Sequence, residues 1–178
     1  MSKKQVLEEE QIFAIPLSND SFTIAQLVNH YKINSRASED TFAFYNYKFS
    51  SLKEVKEKLN ELDLSNPFAI VTTNSKPKSY NWELIDKKNI EVKFRYNDNI
   101  GSLGLYNNRS TDPEIFLEPY FGLYPWDSYP IGYIDKHILP NAEMGKDIKY
   151  TKDYTTKELI EVLGENHIKV KERLKEEE

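Results

Sequence analysis

The residues best placed to do chemistry lie in one short stretch, 117–133, which reads LEPYFGLYPWDSYPIGY. It holds two carboxylates, Glu118 and Asp127, and two carboxylates across a sugar are the equipment of a glycosidase. Its aromatic rings could instead form a platform for a sugar or a peptide. Four tyrosines, a phenylalanine, a tryptophan and three prolines are equally typical of a turn-rich segment whose rings are core.

Other catalytic and metal-binding patterns are missing from the sequence. The histidines His30, His137 and His167 are far apart and form no HxH or HExxH pattern, so no metal site is predicted. There is no GxSxG elbow, Walker A loop or dinucleotide loop. With no cysteine, a thiol nucleophile and a disulfide are excluded. We therefore expect no cofactor, and a small hydrolase is the weakest of the possible classes of function.

Charge and composition narrow the choice of partner. The chain of 178 residues is 39% hydrophobic and carries a net charge of −5. An acidic surface is repelled by phosphate backbones, so we expect no nucleic acid partner and favour a basic protein. The first residues, MSKKQVLEEEQ, contain no apolar stretch of a secretory signal, and no run is long enough to cross a membrane. A cytoplasmic protein without a membrane partner is expected.

The elements that must position these residues begin with a β-hairpin. Two β-prone runs, 11–17 and 22–28, flank the turn formers Ser-Asn-Asp-Ser at 18–21, which predicts two paired strands. Aromatic richness, 13% of the chain, also favours strands. Further strands are predicted at 41–47, 67–73, 80–85, 90–96 and 102–106, and 131–138 fits either a strand or a short helix.

Helices are predicted on either side of the aromatic stretch. Ser51 and Glu54 have the spacing of a capping box, and apolar residues follow at helical spacing, which predicts an amphipathic helix near 51–62. Residues 155–164 form a second helix, and the tail is a further helical segment or frays. We expect an α+β protein with one domain over 1–178 and a mainly antiparallel, strongly bent sheet. Segments 1–10 and 170–178 are expected to be flexible.

Several of these segments together resemble the immunity protein 26 family, bacterial proteins linked to polymorphic toxin systems. The apolar strand IFAIPL at 12–17 is followed by a turn and a second strand, as in that family. The family's middle tryptophan segment corresponds to NWELI at 81–85. Its later leucine-glutamate pair and tryptophan correspond to Leu117, Glu118 and Trp126. Where the family has Gly-Asp before the first strand, this chain has Glu-Gln.

The resemblance implies a non-enzymatic antitoxin that binds and neutralises a cognate toxin domain. It carries over no interface residues, so the partner-binding candidates come from the aromatic density between the prolines. They are Tyr120, Tyr124, Trp126 and Tyr129, with Asp127 as the charged member. The alternative is a small peptide- or carbohydrate-binding module that uses the same tyrosines.

Overall fold

A computed structural model describes residues 6–34, 37–92 and 108–177. The chain divides into two compact units. One comprises Met1–Pro113 and His137–Glu143, and the other comprises Glu114–Lys136 and Met144–Glu178. The first unit holds a β-sheet and the second holds helices and turns, so the predicted α+β class is confirmed. A single domain over 1–178 stays a prediction.

Five strands form one open antiparallel sheet in the first unit, in the order β4–β3–β2–β1–β5. The register shifts within the β1/β5 and β2/β3 pairs. Such irregularities bend a strand and increase its twist, which gives the predicted bend of the sheet a local cause. The strands are β1 (Gln11–Pro16), β2 (Phe22–Lys32), β3 (Ser38–Phe49), β4 (Ala69–Thr73) and β5 (Glu83–Lys87).

The predicted hairpin of the first two strands is confirmed. Its turn closes through a hydrogen bond from the Leu17 amide to the Ser21 carbonyl, at 2.8 Å. The Asn19 side chain accepts from the Ser21 hydroxyl at 2.5 Å, and Asp20 adopts a positive φ of 63°. Asparagine and aspartate tolerate these turn conformations, which is why the sequence places the turn correctly.

Both faces of the sheet are buried over most of β1 to β4, whereas β5 is mostly exposed. This burial explains the nearly continuous apolar runs of the first four strands. On one face Trp82 meets Phe42 edge-on, with ring centroids 5.1 Å apart, and also contacts Phe13 and Phe44. The opposite face packs on the first helix. Its fully buried members include Ile12, Ala14, Ile24, Ala43, Val55, Leu64 and Ile70.

The predicted helix near 51–62 is shorter than expected. Helix α1 spans Leu52–Lys58, and a 3-10 turn continues it over Leu59–Glu61. Ser51 caps the helix by accepting a hydrogen bond from the Glu54 amide at 3.2 Å. Val55 and Leu59 lie on the buried side.

Three helices lie in the second unit: α2 (Leu117–Tyr120), α3 (Thr156–Leu163) and α4 (Ile168–Glu176). The capping box of α3, formed by Thr155 and Glu158, and its end at Gly164 agree with the sequence. Residues 170–176 of the tail lie within α4. Leu159 of α3 and Val170 of α4 are fully buried together.

Four predicted segments differ from the structure or fall at least partly outside the described residues. The strand expected at 80–85 starts only at Glu83, because Pro77–Tyr80 is a 3-10 turn whose last residue leads into Asn81 at a φ of 59°. Residues 131–138 form turns and a 3-10 turn at Asp135–His137. Residues 90–92 are not in a strand, whereas 93–96 and 102–106 lie outside the described residues.

Candidate functional site

Tyr120, the first of the candidate binding residues, lies in the interior of the structure. It sits on α2 and has no exposed surface. The chain at Gly145 passes so close that a Cβ atom there would stand 2.4 Å from the Tyr120 carbonyl oxygen. Gly122 is equally tight, because a Cβ atom on it would stand 2.0 Å from the Asp147 carbonyl oxygen. Residues 117–122 and 145–147 therefore form a close-packed frame.

Trp126 belongs to the same frame. Its indole is 7% exposed, and the Nε1–H donates to the Asp135 carboxylate at 3.1 Å. Its backbone amide donates to the Lys149 carbonyl at 2.8 Å. Tryptophan is expected to satisfy its N–H when buried, and here the partner also fixes the start of the next turn.

Asp127 is used within the unit as well. Its Oδ1 accepts from the Thr151 amide at 2.7 Å, and its Oδ2 accepts from the Thr151 hydroxyl at 2.9 Å. The carboxylate thus satisfies the beginning of the 3-10 turn Thr151–Asp153. Both carboxylate oxygens of Asp127 accept hydrogen bonds from Thr151, so this side chain stabilises the local structure of the unit.

The remaining tyrosines form a group that we call the tyrosine stack, Tyr124, Tyr129 and Tyr133. Tyr124 and Tyr129 have ring centroids 5.6 Å apart at a tilt of 40°. Tyr129 and Tyr133 have centroids 5.7 Å apart, with planes only 14° from parallel. The Lys136 ammonium lies 5.0 Å from the Tyr133 ring centroid. Tyr124 and Tyr129 are half-buried, and Tyr133 is exposed.

The last two rings flank a tight turn at 130–133. The Tyr133 amide donates to the Pro130 carbonyl at 2.9 Å, and Gly132 has a φ of 76°. Ile131 and Gly132 are its two central residues, and glycine is the usual residue at a central position with a positive φ. Ile131 stands at the tip with its side chain fully exposed, at 106% of the reference area. A single exposed aliphatic side chain is common on protein surfaces, but Ile131 stands two residues from the exposed Tyr133, and neighbouring exposed apolar side chains are typical of interaction sites.

The sequence-based candidates fall into two groups in the structure. Tyr120, Trp126 and Asp127 are held within the unit, whereas Tyr124 and Tyr129 reach the surface that the stack forms. Tyr133 and Ile131, which the sequence did not single out, also lie at this surface. Gly132 was a usable signal for the turn, because glycine fits a central turn position with a positive φ.

A second cluster of polar side chains lies in the first unit, around Asp40. This carboxylate is fully buried and accepts from His30 Nδ1 at 2.6 Å and from Lys76 Nζ at 2.5 Å. The Ser38 hydroxyl donates to it at 3.2 Å and accepts from Lys76 at 2.5 Å. In a hydrolase triad the histidine contacts the serine, whereas here both contact the aspartate. The connections are those of a neutralised buried charge.

The described residues contain no group of three or more histidine, aspartate or glutamate side chains that could hold a metal ion. Within the same ranges, no helix has the length and apolar character needed to span a bilayer.

The Tyr154 hydroxyl donates a hydrogen bond to the Gly122 carbonyl of the frame at 3.2 Å. Burial raises the pKa of this tyrosine.

No family model, curated protein or solved structure matches this chain.

Proposed function

We propose that this protein is a non-enzymatic immunity protein that binds a toxin domain and blocks it, with the 130–133 turn at the centre of the interface. The observation that carries the proposal is the fully exposed Ile131 at the tip of a turn braced by two stacked rings. The sequence resemblance to the immunity protein 26 family supports the same class of function.

The turn has the properties of an interface anchor. Binding is weakened when loose side chains must be ordered, so a rigid apolar tip loses little entropy on docking. Tyr129 and Tyr133 supply large aromatic area, and the Lys136 ammonium over Tyr133 adds a charged edge. Hot spots of stable complexes combine such anchors with a polar rim.

The frame behind the turn completes the argument. Tyr120, Trp126 and Asp127 are held by backbone contacts and hydrogen bonds within the unit. They fix the chain on which the tyrosine stack is mounted, so the anchor residues meet a partner without rearrangement. A stable complex would bury roughly 1,600 Å², of which the turn is the centre and not the whole.

The net charge of −5 favours a basic partner. Complementary charge speeds the encounter of two proteins and matters for an inhibitor that must act before the toxin does. Inhibition needs no chemistry from this chain, because covering the toxin's active site is sufficient.

The test is to co-express the chain with the toxin domain encoded beside its gene, in an inactivated form, and to purify the complex. We expect a one-to-one complex with a dissociation constant of about 1 nM or below, typical of tight inhibitors. Cells that make the active toxin should grow only when this protein is present. A toxin domain that neither co-purifies nor is neutralised would remove the proposal.

The second candidate is a small peptide- or carbohydrate-binding module at the same tyrosines, favoured by the Tyr133 ring, which is 43% exposed. It differs in one measurable respect. A binding module holds a short peptide or oligosaccharide without any protein partner, and calorimetry with such ligands would detect this directly.

A further inference from the structure

A polar groove lies in the first unit, where β3 begins and β4 ends. Its cavity volume is about 250 Å³. Glu39 of β3, Thr72 of β4 and Asn74 line one side, and Arg109 and Thr111 line the other. The second side is tied to β4 by backbone hydrogen bonds that join Thr72 to residues 108 and 110. Residues 108–110 are therefore held against β4, the edge strand of the sheet.

The strand register places an aromatic side chain next to Glu39, outside the residues that line the groove. Tyr31 of β2 pairs directly with Glu39, so both side chains are on the same face of the sheet. Asp40 pairs with Thr73, which puts Asn74 next in line beside Glu39. Tyr31 is 53% exposed. A row of ring, carboxylate and amide thus runs across the end of the sheet.

The charges in the groove cancel. Arg109 Nη1 donates to Glu39 Oε1 at 2.6 Å, and Nη2 donates to the other carboxylate oxygen. The guanidinium has five N–H donors, so this paired contact leaves three for another acceptor. The Glu39 carboxylate would repel an anionic ligand, and the Arg109 guanidinium would repel a cationic one. The groove therefore suits a neutral ligand that offers both donors and acceptors.

Two polar side chains at the groove have no hydrogen-bond partner among the residues that the structure describes. The Asn74 amide and the Thr111 hydroxyl make no hydrogen bond there. The Thr111 carbonyl, by contrast, accepts from Ser75 and Tyr80, which fixes the backbone that carries the hydroxyl. The Asn74 amide and the Thr111 hydroxyl can each donate to and accept from a ligand.

We propose that this groove binds a neutral sugar, one ring of a monosaccharide or of a glycan end. Sugar hydroxyls both donate and accept, which matches the carboxylate, guanidinium, amide and hydroxyl groups present. Tyr31, next to Glu39, would contact the apolar edge of the sugar at the rim of the groove. The volume is below the roughly 300–1,000 Å³ of sites for drug-sized ligands, so a single ring is the size that fits.

The test is an NMR titration of the isotope-labelled full chain with glucose, galactose, mannose and N-acetylglucosamine. We expect at least one sugar to shift the amide signals of residues 72–74 and 109–111 in a saturable way, with a dissociation constant of about 1 mM. Asn74→Ala and Thr111→Ala should each weaken that binding about fivefold, the usual effect of one lost hydrogen bond. Asn60→Ala, an exposed asparagine in the first unit but outside the groove lining, is the matched control and should change nothing.

Three results would overturn the proposal. The first is the absence of saturable shifts at these residues with all four sugars. The second is sugar binding that survives in the Asn74→Ala, Thr111→Ala double variant. The third is selective binding of inorganic phosphate or of a blocked alanine dipeptide at the same signals, which would assign the groove to anions or to peptides. Toxin binding is a separate measurement, so failure here leaves the proposed immunity function untouched.

Discussion

The ring of Tyr129 lies against the ring of Tyr133, with centroids 5.7 Å apart and planes 14° from parallel. The first residue precedes the 130–133 turn and the second ends it, so their contact closes the turn from both sides. Aromatic pairs of this kind contribute about 0.5–1.5 kcal/mol beyond the area that they bury. Ile131 lies at the tip of this turn and is fully exposed to solvent.

Ile131→Asp tests whether this tip is an anchor. Because the side chain is exposed, we expect the free energy of unfolding to change by less than about 0.5 kcal/mol. Toxin binding should weaken by about 30-fold or more, the loss expected for a hot-spot residue. The measurement is the dissociation constant of the complex, together with the growth of cells that make the toxin.

Ile168→Asp is the matched control for that change. Ile168 is 61% exposed and begins α4, away from the turn in sequence. Ile168→Asp introduces the same charge and removes the same side chain as Ile131→Asp. Because this change lies outside the turn, toxin binding and protection of cells should stay at the wild-type level. Equal losses for both variants would indicate a general effect of charge and would contradict the anchor role of the turn.

Gly122→Ala should destabilise the protein strongly. Its Cβ atom would stand 2.0 Å from the Asp147 carbonyl oxygen, so backbone must move, and φ is 70°. We expect a loss of about 3 kcal/mol or more in the free energy of unfolding, measured by urea denaturation.

Gly132→Ala separates the steric clash from the strain of a positive φ. Its φ is 76°, but nothing lies within 4 Å of the added atom. That variant should lose only about 1–2 kcal/mol of conformational strain. Equal losses would show that strain alone explains both.

The features that could be predicted from the sequence are those fixed by neighbouring residues. The turn at Asn19 and Asp20 and the cap at Ser51 depend on side chains that bond within three residues, so their pattern is visible in the chain. The same holds for the capping box of Thr155 and Glu158. Helix and hairpin predictions were therefore confirmed at these places.

The burial of Tyr120 and Trp126 could not be predicted in this way. Tyr120 is enclosed by the chain at Gly145, and Trp126 bonds to Asp135 and Lys149. These partners lie nine to 25 residues away, and a glycine needed for close approach looks in the sequence like any other glycine. The polar groove is hidden for the same reason, because Glu39 and Arg109 are 70 residues apart.

Lys76→Met should destabilise the first unit because it removes a cation from a buried carboxylate. The Asp40 side chain has no exposed surface, and Lys76 Nζ lies 2.5 Å from its Oδ2. His30 and Ser38 still donate to the carboxylate, and Lys76 is 43% exposed, so the loss should be moderate. We expect about 1–3 kcal/mol in the free energy of unfolding.

Lys56→Met removes the same charge from an exposed pair. Lys56 Nζ and Glu83 Oε1 are 2.9 Å apart, and both side chains are half exposed. Such pairs contribute little, so the loss should stay under about 1 kcal/mol. If Lys56→Met cost as much as Lys76→Met in urea denaturation, burial of Asp40 would not explain the effect.

Glu54 makes the stability of α1 depend on pH in a predictable direction. Hydrogen bonds from the Lys58 side chain and from the Ser50 amide and hydroxyl lower its pKa from 4.5 to about 2. A carboxyl whose pKa is lower in the folded state stabilises the fold above its unfolded pKa, and loses that contribution as the pH falls through the folded pKa. Glu54→Gln should therefore be less stable than the wild type at pH 7. The difference should stay constant down to about pH 4.5 and shrink towards pH 2.

Glu57→Gln on the same helix removes the same charge. Its carboxylate lies 3.6 Å from Lys53 and is 62% exposed, so its removal should cost little at any pH. Urea denaturation of the wild type and both variants at several pH values between 7 and 2 gives the comparison. A Glu54→Gln deficit that persists unchanged at pH 2 would mean that the hydrogen bonds from Ser50 and Lys58 do not act through the ionised carboxylate. Because Ser50 stands directly before the helix cap, a deficit that disappears on acidification would show that this carboxylate holds the start of α1 against the end of β3.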